Sequence, residues 1–287
     1  GTLTLSGANA YTGTTTISGG TLALTGSGSI ADSAKLVVTG TFDISGTTTG
    51  ASIKSLDGSG DVVLGTKALT ISAANDSFSG QISGDGSLIL SSGTQTLATA
   101  NTYTGTTTVN GGTLVITNAS GLGATAAGTT VASGATLDLQ GVSVGSEVIT
   151  VNGGTLATTT GTSSLSGSVV LGANSTLGVS GTQLSLSGVI SGDYGITKTG
   201  SGVLVLSNAN TYTGDTTISA GTLKLTGGLS TSTDVVMTNS AVWDLQVGQT
   251  VASLTMASGN SITNTLGTSS LTVSGASTLA NTITTTG

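Results

Sequence analysis

The chain has 287 residues, of which 47 are glycine. Charged residues make up 6% and aromatic residues 2%, against roughly 25% charged in ordinary globular proteins. Five Lys, no Arg and twelve acidic groups give a net charge of −7. That balance excludes a nucleic-acid footprint, which rests on clustered Lys and Arg, and a polybasic membrane contact. The absence of His and Cys removes Ser-His-Asp chemistry, thiol catalysis and the usual zinc ligands.

The chain opens on a 26-residue passage, Gly1–Gly26, reading GTLTLSGANAYTGTTTISGGTLALTG. Leu3 and Leu5, then Leu22 and Leu24, alternate with polar residues, which is strand periodicity. Leu3 to Leu22 and Leu5 to Leu24 are each a return of 19 residues. A return of that length places one Leu above another in consecutive coils of a β-solenoid, about 4.8 Å apart. Gly1 opens inside the repeat unit, without an initiator Met or a signal peptide, so an excised internal stretch of a longer protein is expected.

Next come two carboxylates in LDGSGDVVL, Asp57 and Asp61. Paired carboxylates suit a calcium site or a glycosidase-like acid pair. Asp beside Gly is also ordinary turn chemistry, and the tandem G-G-x-G-x-D units of calcium-binding β-helices are absent. Ser79–Asp85 then reads SGQISGD, and Ser187–Asp193 reads SGVISGD, so Asp85 and Asp193 hold matching places. Turn structure is expected at all four positions. With it goes the expectation of no catalytic, cofactor-binding or metal-binding residue.

The 26-residue passage returns at Gly93–Asn118 and at Gly202–Gly227, and the first and third copies agree at 19 of 26 positions. Gln95 to Leu114, Leu97 to Ile116, Leu204 to Leu223 and Leu206 to Leu225 repeat the 19-residue spacing, with Gln95 in place of a Leu. Alternating pairs at Leu88 and Leu90 and at Leu137 and Leu139, and a Gly-Thr-Leu at Gly154–Leu156, extend the pattern. Tyr11, Tyr103 and Tyr212 share one position in the copies. They lie too many coils apart for a carbohydrate-stacking track, and a corner position with the hydroxyl in water is expected. Trp243, in AVWDLQV, is expected in the core or a cap.

Gly, Ser and Thr interrupt every candidate helical window. An antiparallel sandwich explains neither the 19-residue return nor the scarcity of two-residue Asn-Gly and Asp-Gly turns. Proline, excluded from central strands, is absent. The expected fold is therefore all-β: one continuous, single-stranded parallel β-helix over residues 1–287, of about 14 coils. No apolar run reaches the roughly 18 residues of a membrane-spanning helix.

The segments NTYTG (101–105 and 210–214), GGTL (19–22, 111–114 and 153–156) and SGVISGD followed by GITKTGSGVLVLSNANTYTG (187–214) resemble the autotransporter-associated β-strand repeat. That repeat occurs in passenger regions of the type V secretion system of Gram-negative bacteria. The resemblance implies a right-handed parallel β-helix, exported through an outer-membrane barrel and displayed or shed at the cell surface. With the uncharged coat of Thr, Ser and Asn and the lack of His and Cys, the expected role is an extracellular stalk or adhesin segment, not an enzyme, without cofactor, whose partner is itself or a host or neighbouring cell. A subunit that assembles end to end into filaments is the alternative, and a polysaccharide-acting enzyme a remote one.

Overall fold

The computed structural model describes residues 1–266 and 269–280. Every element among them is a β-strand, and every ladder whose register is given below is parallel. The strands are short because each apolar pair is bounded by Gly, Ser or Asn. Their burial alternates, as in Leu88–Leu90 and Thr107–Val109, where the outer two residues are buried and the middle one half-exposed. The chain divides into two compact units, Gly1–Asp138 and Leu139–Gly287.

In the first unit the longest sheet takes seven strands, in the order Thr15–Ile17, Leu36–Val38, Leu56–Gly58, Ala74–Phe78, Gly93–Leu97, Thr113–Ile116 and Thr136–Leu139. A second sheet runs Thr2–Leu5, Thr21–Gly26, Thr41–Thr47, Asp61–Val63 and Ile82–Ser83. A third runs Ala51–Ile53, Leu69–Ile71, Leu88–Leu90, Thr107–Val109 and Thr129–Ala132. Sequence-adjacent strands fall in different sheets, and the next strand of the same sheet arrives one coil later. That is a solenoid, not a sandwich.

The second unit is built likewise. One sheet holds Ser143–Val144, Thr162–Leu165, Gln183–Leu186, Val203–Leu206, Thr222–Leu225, Val242–Leu245 and Ser261–Thr263. Another holds Thr155–Thr158, Ser175–Val179, Ile196–Thr199, Thr216–Ile218, Asp234–Met237, Ser253–Met256 and Ser277–Leu279. Seven strands in the longest sheet of each unit correspond to the expected fourteen coils.

The 19-residue return is the observed register. Leu3 pairs with Leu22 and Leu5 with Leu24; Gln95 pairs with Leu114 and Leu97 with Ile116; Leu204 pairs with Leu223 and Leu206 with Leu225. The core is the column of inward Leu, Ile and Val these ladders create. Aromatic residues are few, yet Phe42, Phe78, Tyr103, Tyr212 and Trp243 are all fully buried. The exception in the ladder is Leu3, which is 61% exposed, because Thr2–Leu5 has a strand on one side only.

Candidate functional surface

The repeat's Asn-x-Tyr-Thr-Gly segment is not itself a strand. It holds its place through side chains. Asn101 Oδ1 accepts the Ile82 amide at 2.8 Å, and the next amide, Thr102 N, donates to Ile82 O at 2.9 Å. In the third copy Asn210 Oδ1 accepts Ile190 N at 2.9 Å and Thr211 N donates to Ile190 O at 2.9 Å. Both backbone groups of the isoleucine in SG-x-ISGD are thus held by an Asn side chain and the amide beside it, as a two-point clip. On the opposite side Asn101 Nδ2 donates to Gly121 O at 2.7 Å, and Asn210 Nδ2 to Gly228 O at 3.0 Å. The sheets ending in Ile82–Ser83 and Ile190–Ser191 stop where these clips take over. The clip explains why SG-x-ISGD and the Asn-Thr-Tyr-Thr-Gly segment travel together in the sequence.

The tyrosines correct one expectation. Tyr103 and Tyr212 are fully buried, with their hydroxyls bonded to Thr107 Oγ1 at 2.5 Å and Thr216 Oγ1 at 2.6 Å. The hydroxyl faces a threonine four residues on, not water. Tyr11 makes the same bond to Thr15 at 2.8 Å but is 41% exposed. The polar chain continues inward: Thr216 meets Thr233 at 3.2 Å, whose hydroxyl donates to Gly214 O at 2.7 Å. Burial raises the Tyr212 hydroxyl pKa, and the bond to Thr216 opposes that only in part. The signal was present in the sequence as Tyr-x-x-x-Thr in all three copies.

The four acidic candidates are dispersed. Asp57 and Asp61 stand in strands of different sheets, Leu56–Gly58 and Asp61–Val63. Asp57 Oδ2 is 2.7 Å from Lys35 Nζ, and its Oδ1 accepts the Gly58 amide at 2.7 Å. The bond to Lys35 is the main cause of its lowered pKa. Lys35 also reaches Asp76 at 2.7 Å, and the two carboxylates raise its own pKa. Asp61 is exposed. Asp85 and Asp193 are exposed and follow two-residue strands through Gly84 and Gly192, at φ 108° and 118°. Those are left-handed conformations that glycine adopts without strain. Asp85 Oδ1 accepts the Thr104 hydroxyl at 2.9 Å. The sequence leads one to expect turn structure at all four; Asp57 and Asp61 lie in strands instead, Asp57 in an ion pair, while Asp85 and Asp193 stand at bends, and no three acidic side chains converge among the described residues.

Lys198 escaped the sequence reading, whereas Gln95 lies on the ladder where its Leu counterparts placed it and Trp243 in the expected core. Lys198, in register between Leu177 and Ile218, points inward and is fully buried. Its ammonium donates to the carbonyls of Thr199 and Gly200 at 2.8 Å each and of Ala220 at 3.1 Å. Three carbonyls match its three protons. Burial lowers its pKa to about 8. Gln95 also turns inward: its Nε2 donates to Leu56 O at 3.0 Å and to Asp76 O at 3.1 Å, while its Oε1 accepts Leu56 N at 3.3 Å. Trp243 lies in register between Leu223 and Ile262, fully buried, with its Nε1 unpartnered among the described residues.

Outward positions are largely uncharged. In the second unit one outward row reads Thr155, Thr176, Thr197, Thr217, Val236, Thr255 and Thr278, each in register with the next. In the first unit a row reads Ser52, Thr70, Ile89, Thr108 and Thr130. These are flat strips of hydroxyl and methyl groups at the strand spacing of about 4.8 Å.

The family model of the passenger-associated-transport-repeat matches residues 1–24, 90–116 and 196–225. No curated protein and no solved structure matches the chain significantly. The three matches fall on the three copies of the passage that carries the asparagine, the tyrosine with its threonine four residues on, and the 19-residue register. The chain is a β-solenoid, three stretches of which match the passenger-associated-transport-repeat, a repeat of autotransporter passenger regions.

Proposed function

We propose that this segment works outside a Gram-negative cell as a structural part of a passenger, a stalk whose uncharged faces associate with like faces or with a neighbouring or host cell surface. The observation that carries the reading is the threonine row of the second unit, six Thr and one Val in register without a charge. Seven rungs extend over about 29 Å at the parallel strand spacing. Such a strip offers many weak hydrogen bonds and methyl contacts with no like-charge repulsion between copies. The placement of Asp57 in an ion pair and of Asp85 in a turn also favours a structural reading over a catalytic one.

The test replaces Thr176, Thr217 and Thr255 together by Lys. These side chains point outward, so the melting temperature should hold. Sedimentation of the unmodified chain should show concentration-dependent association that the triple variant loses. An unmodified chain that stays monomeric at the highest attainable concentration removes the associative role and leaves the spacer.

A further inference from the structure

We propose that a notch at one corner of the second unit, between Asn174 and Asp215 and beside Tyr194, binds the terminal neutral sugar ring of a cell-surface glycan. The residues just before three successive strands of one sheet stack there: Ser175 N donates to Gly195 O at 3.1 Å, and Ile196 N to Asp215 O at 2.9 Å. Asn174, Gly195 and Asp215 are therefore consecutive rungs, and the middle rung has no side chain. A Cβ at Gly195 would lie 2.4 Å from Asp215 O, so the stacking of the coils keeps that rung bare. The gap is a hollow of about 140 Å³ lined by Asn174, Gly195, Ile196, Thr197, Asp215 and Thr217. Its two walls stand roughly 10 Å apart, twice the parallel strand spacing, which leaves room for one pyranose ring.

The polar groups around the hollow are reachable and free. Asn174 Oδ1 accepts Gly195 N at 2.8 Å, which orients the amide, and its Nδ2 has no partner among the described residues. The hydroxyls of Thr197 and Thr217 and the carboxylate of Asp215 are likewise unpartnered among them. One rung further on the carboxylate is occupied: Asp234 Oδ1 accepts the Ser253 hydroxyl at 2.7 Å. The hollow thus offers a donor on one wall, an acceptor on the other, and two hydroxyls between them that do both. Neighbouring hydroxyls of a sugar, each donor and acceptor, match that set. Tyr194, next to Gly195 in the chain, is 43% exposed, whereas Tyr212 and Trp243 of the same unit are fully buried. Its ring supplies an apolar platform for the C–H face of the sugar. Asp215, with Asp193 exposed two residues before Gly195, sets a negative field that rejects uronic and sialic acids. The inference rests on the reading of this segment as extracellular. It is tested at Asp215 and Tyr194, outside the threonine row, so the row's self-association and the sugar site can fail separately.

The test titrates the isotope-labelled chain, followed by amide NMR, with glucose, galactose, mannose, fucose and N-acetylglucosamine and with their methyl glycosides. Methyl glycosides of glucuronic and sialic acid form the anionic arm. At least one neutral glycoside should shift the amides of Gly195, Thr197, Asp215 and Thr217, with a Kd on the order of 1 mM, as few contacts to one ring allow. Asp215→Ala and Tyr194→Ser should each weaken it at least tenfold, and Tyr194→Phe should keep it. All three side chains are exposed in the folded chain, so the melting temperature and the sedimentation behaviour should not change. The proposal is overturned if no neutral glycoside moves these amides, if Asp215→Ala binds as the unmodified chain does, or if the anionic glycosides bind equally well. It is equally overturned if a free sugar binds and its methyl glycoside does not, since the end of a glycan is a glycoside. Glycoside binding by a chain that stays monomeric would support the sugar site while removing the self-association of the threonine row.

Discussion

The tyrosine of the repeat behaves differently in its three settings although the sequence around it hardly changes. Tyr103 and Tyr212 bury a ring and satisfy the hydroxyl on a threonine, whereas Tyr11 makes the same bond near solvent. Removing the hydroxyl by Tyr→Phe should therefore cost about 1–2 kcal/mol at 103 and 212, the value of a buried hydrogen bond whose partner is stranded. At Tyr11 it should cost under about 0.5 kcal/mol. Denaturant titration of the three single variants checks the order. Lys198 supplies a second residue-scale prediction. Its pKa is about 8 when folded and 10.5 in a model peptide, so the unfolded chain binds more protons between those values. Stability should rise with pH across that window, by about 2 kcal/mol from pH 8 to 10. The raised pKa of Tyr212 acts in the opposite direction only above pH 10. Lys198→Met should flatten the slope, measured as the denaturation midpoint against pH.

At the scale of elements, strands depend on having a neighbour on both sides. Leu204 is fully buried, with Leu184 on one side and Leu223 on the other. Leu204→Asp buries a charge and should cost several kcal/mol. Leu3→Asp, at the equivalent repeat position, should change stability by under about 1 kcal/mol, since Leu3 already faces water. Thermal melting of the two variants side by side tests this contrast. Strand register was legible because the 19-residue return fixes which residue lies over which, and Gln95 could be placed on that ladder as the odd member. The clip was not legible. It joins residues of adjacent coils, Asn101 to Ile82, and its distance in sequence depends on the loop between them. Lys198 was hidden for a related reason: its inward position follows from register with Leu177 and Ile218 in the neighbouring coils. The tyrosine burial was missed although the i to i+4 threonine stood in plain view, because sparse aromatics suggested a core without them.

At the scale of the whole molecule, the pattern is one of nearest neighbours within each unit. Leu36 lies on Leu56 in the first unit, and Leu114 belongs to a strand three places further along the same sheet than Leu56. Leu36→Ala and Leu114→Ala should each cost about 2–4 kcal/mol and should add within about 0.5 kcal/mol. Leu36→Ala with Leu56→Ala shares one cavity and should depart from additivity by more than that. A pair of double-mutant cycles in urea decides it, and additivity of both pairs would remove the layered core. The ladders also fix something about folding. Partners lie 18 residues apart at Ala51 and Leu69, 19 at Leu204 and Leu223, and 23 at Leu254 and Ser277. Each new coil therefore closes a loop of nearly constant length, whose entropic cost depends only weakly on that length. The entropy of closure per coil does not grow as the chain lengthens, so a unit of this kind can be extended coil by coil without the slowing that distant contacts impose on most β-proteins.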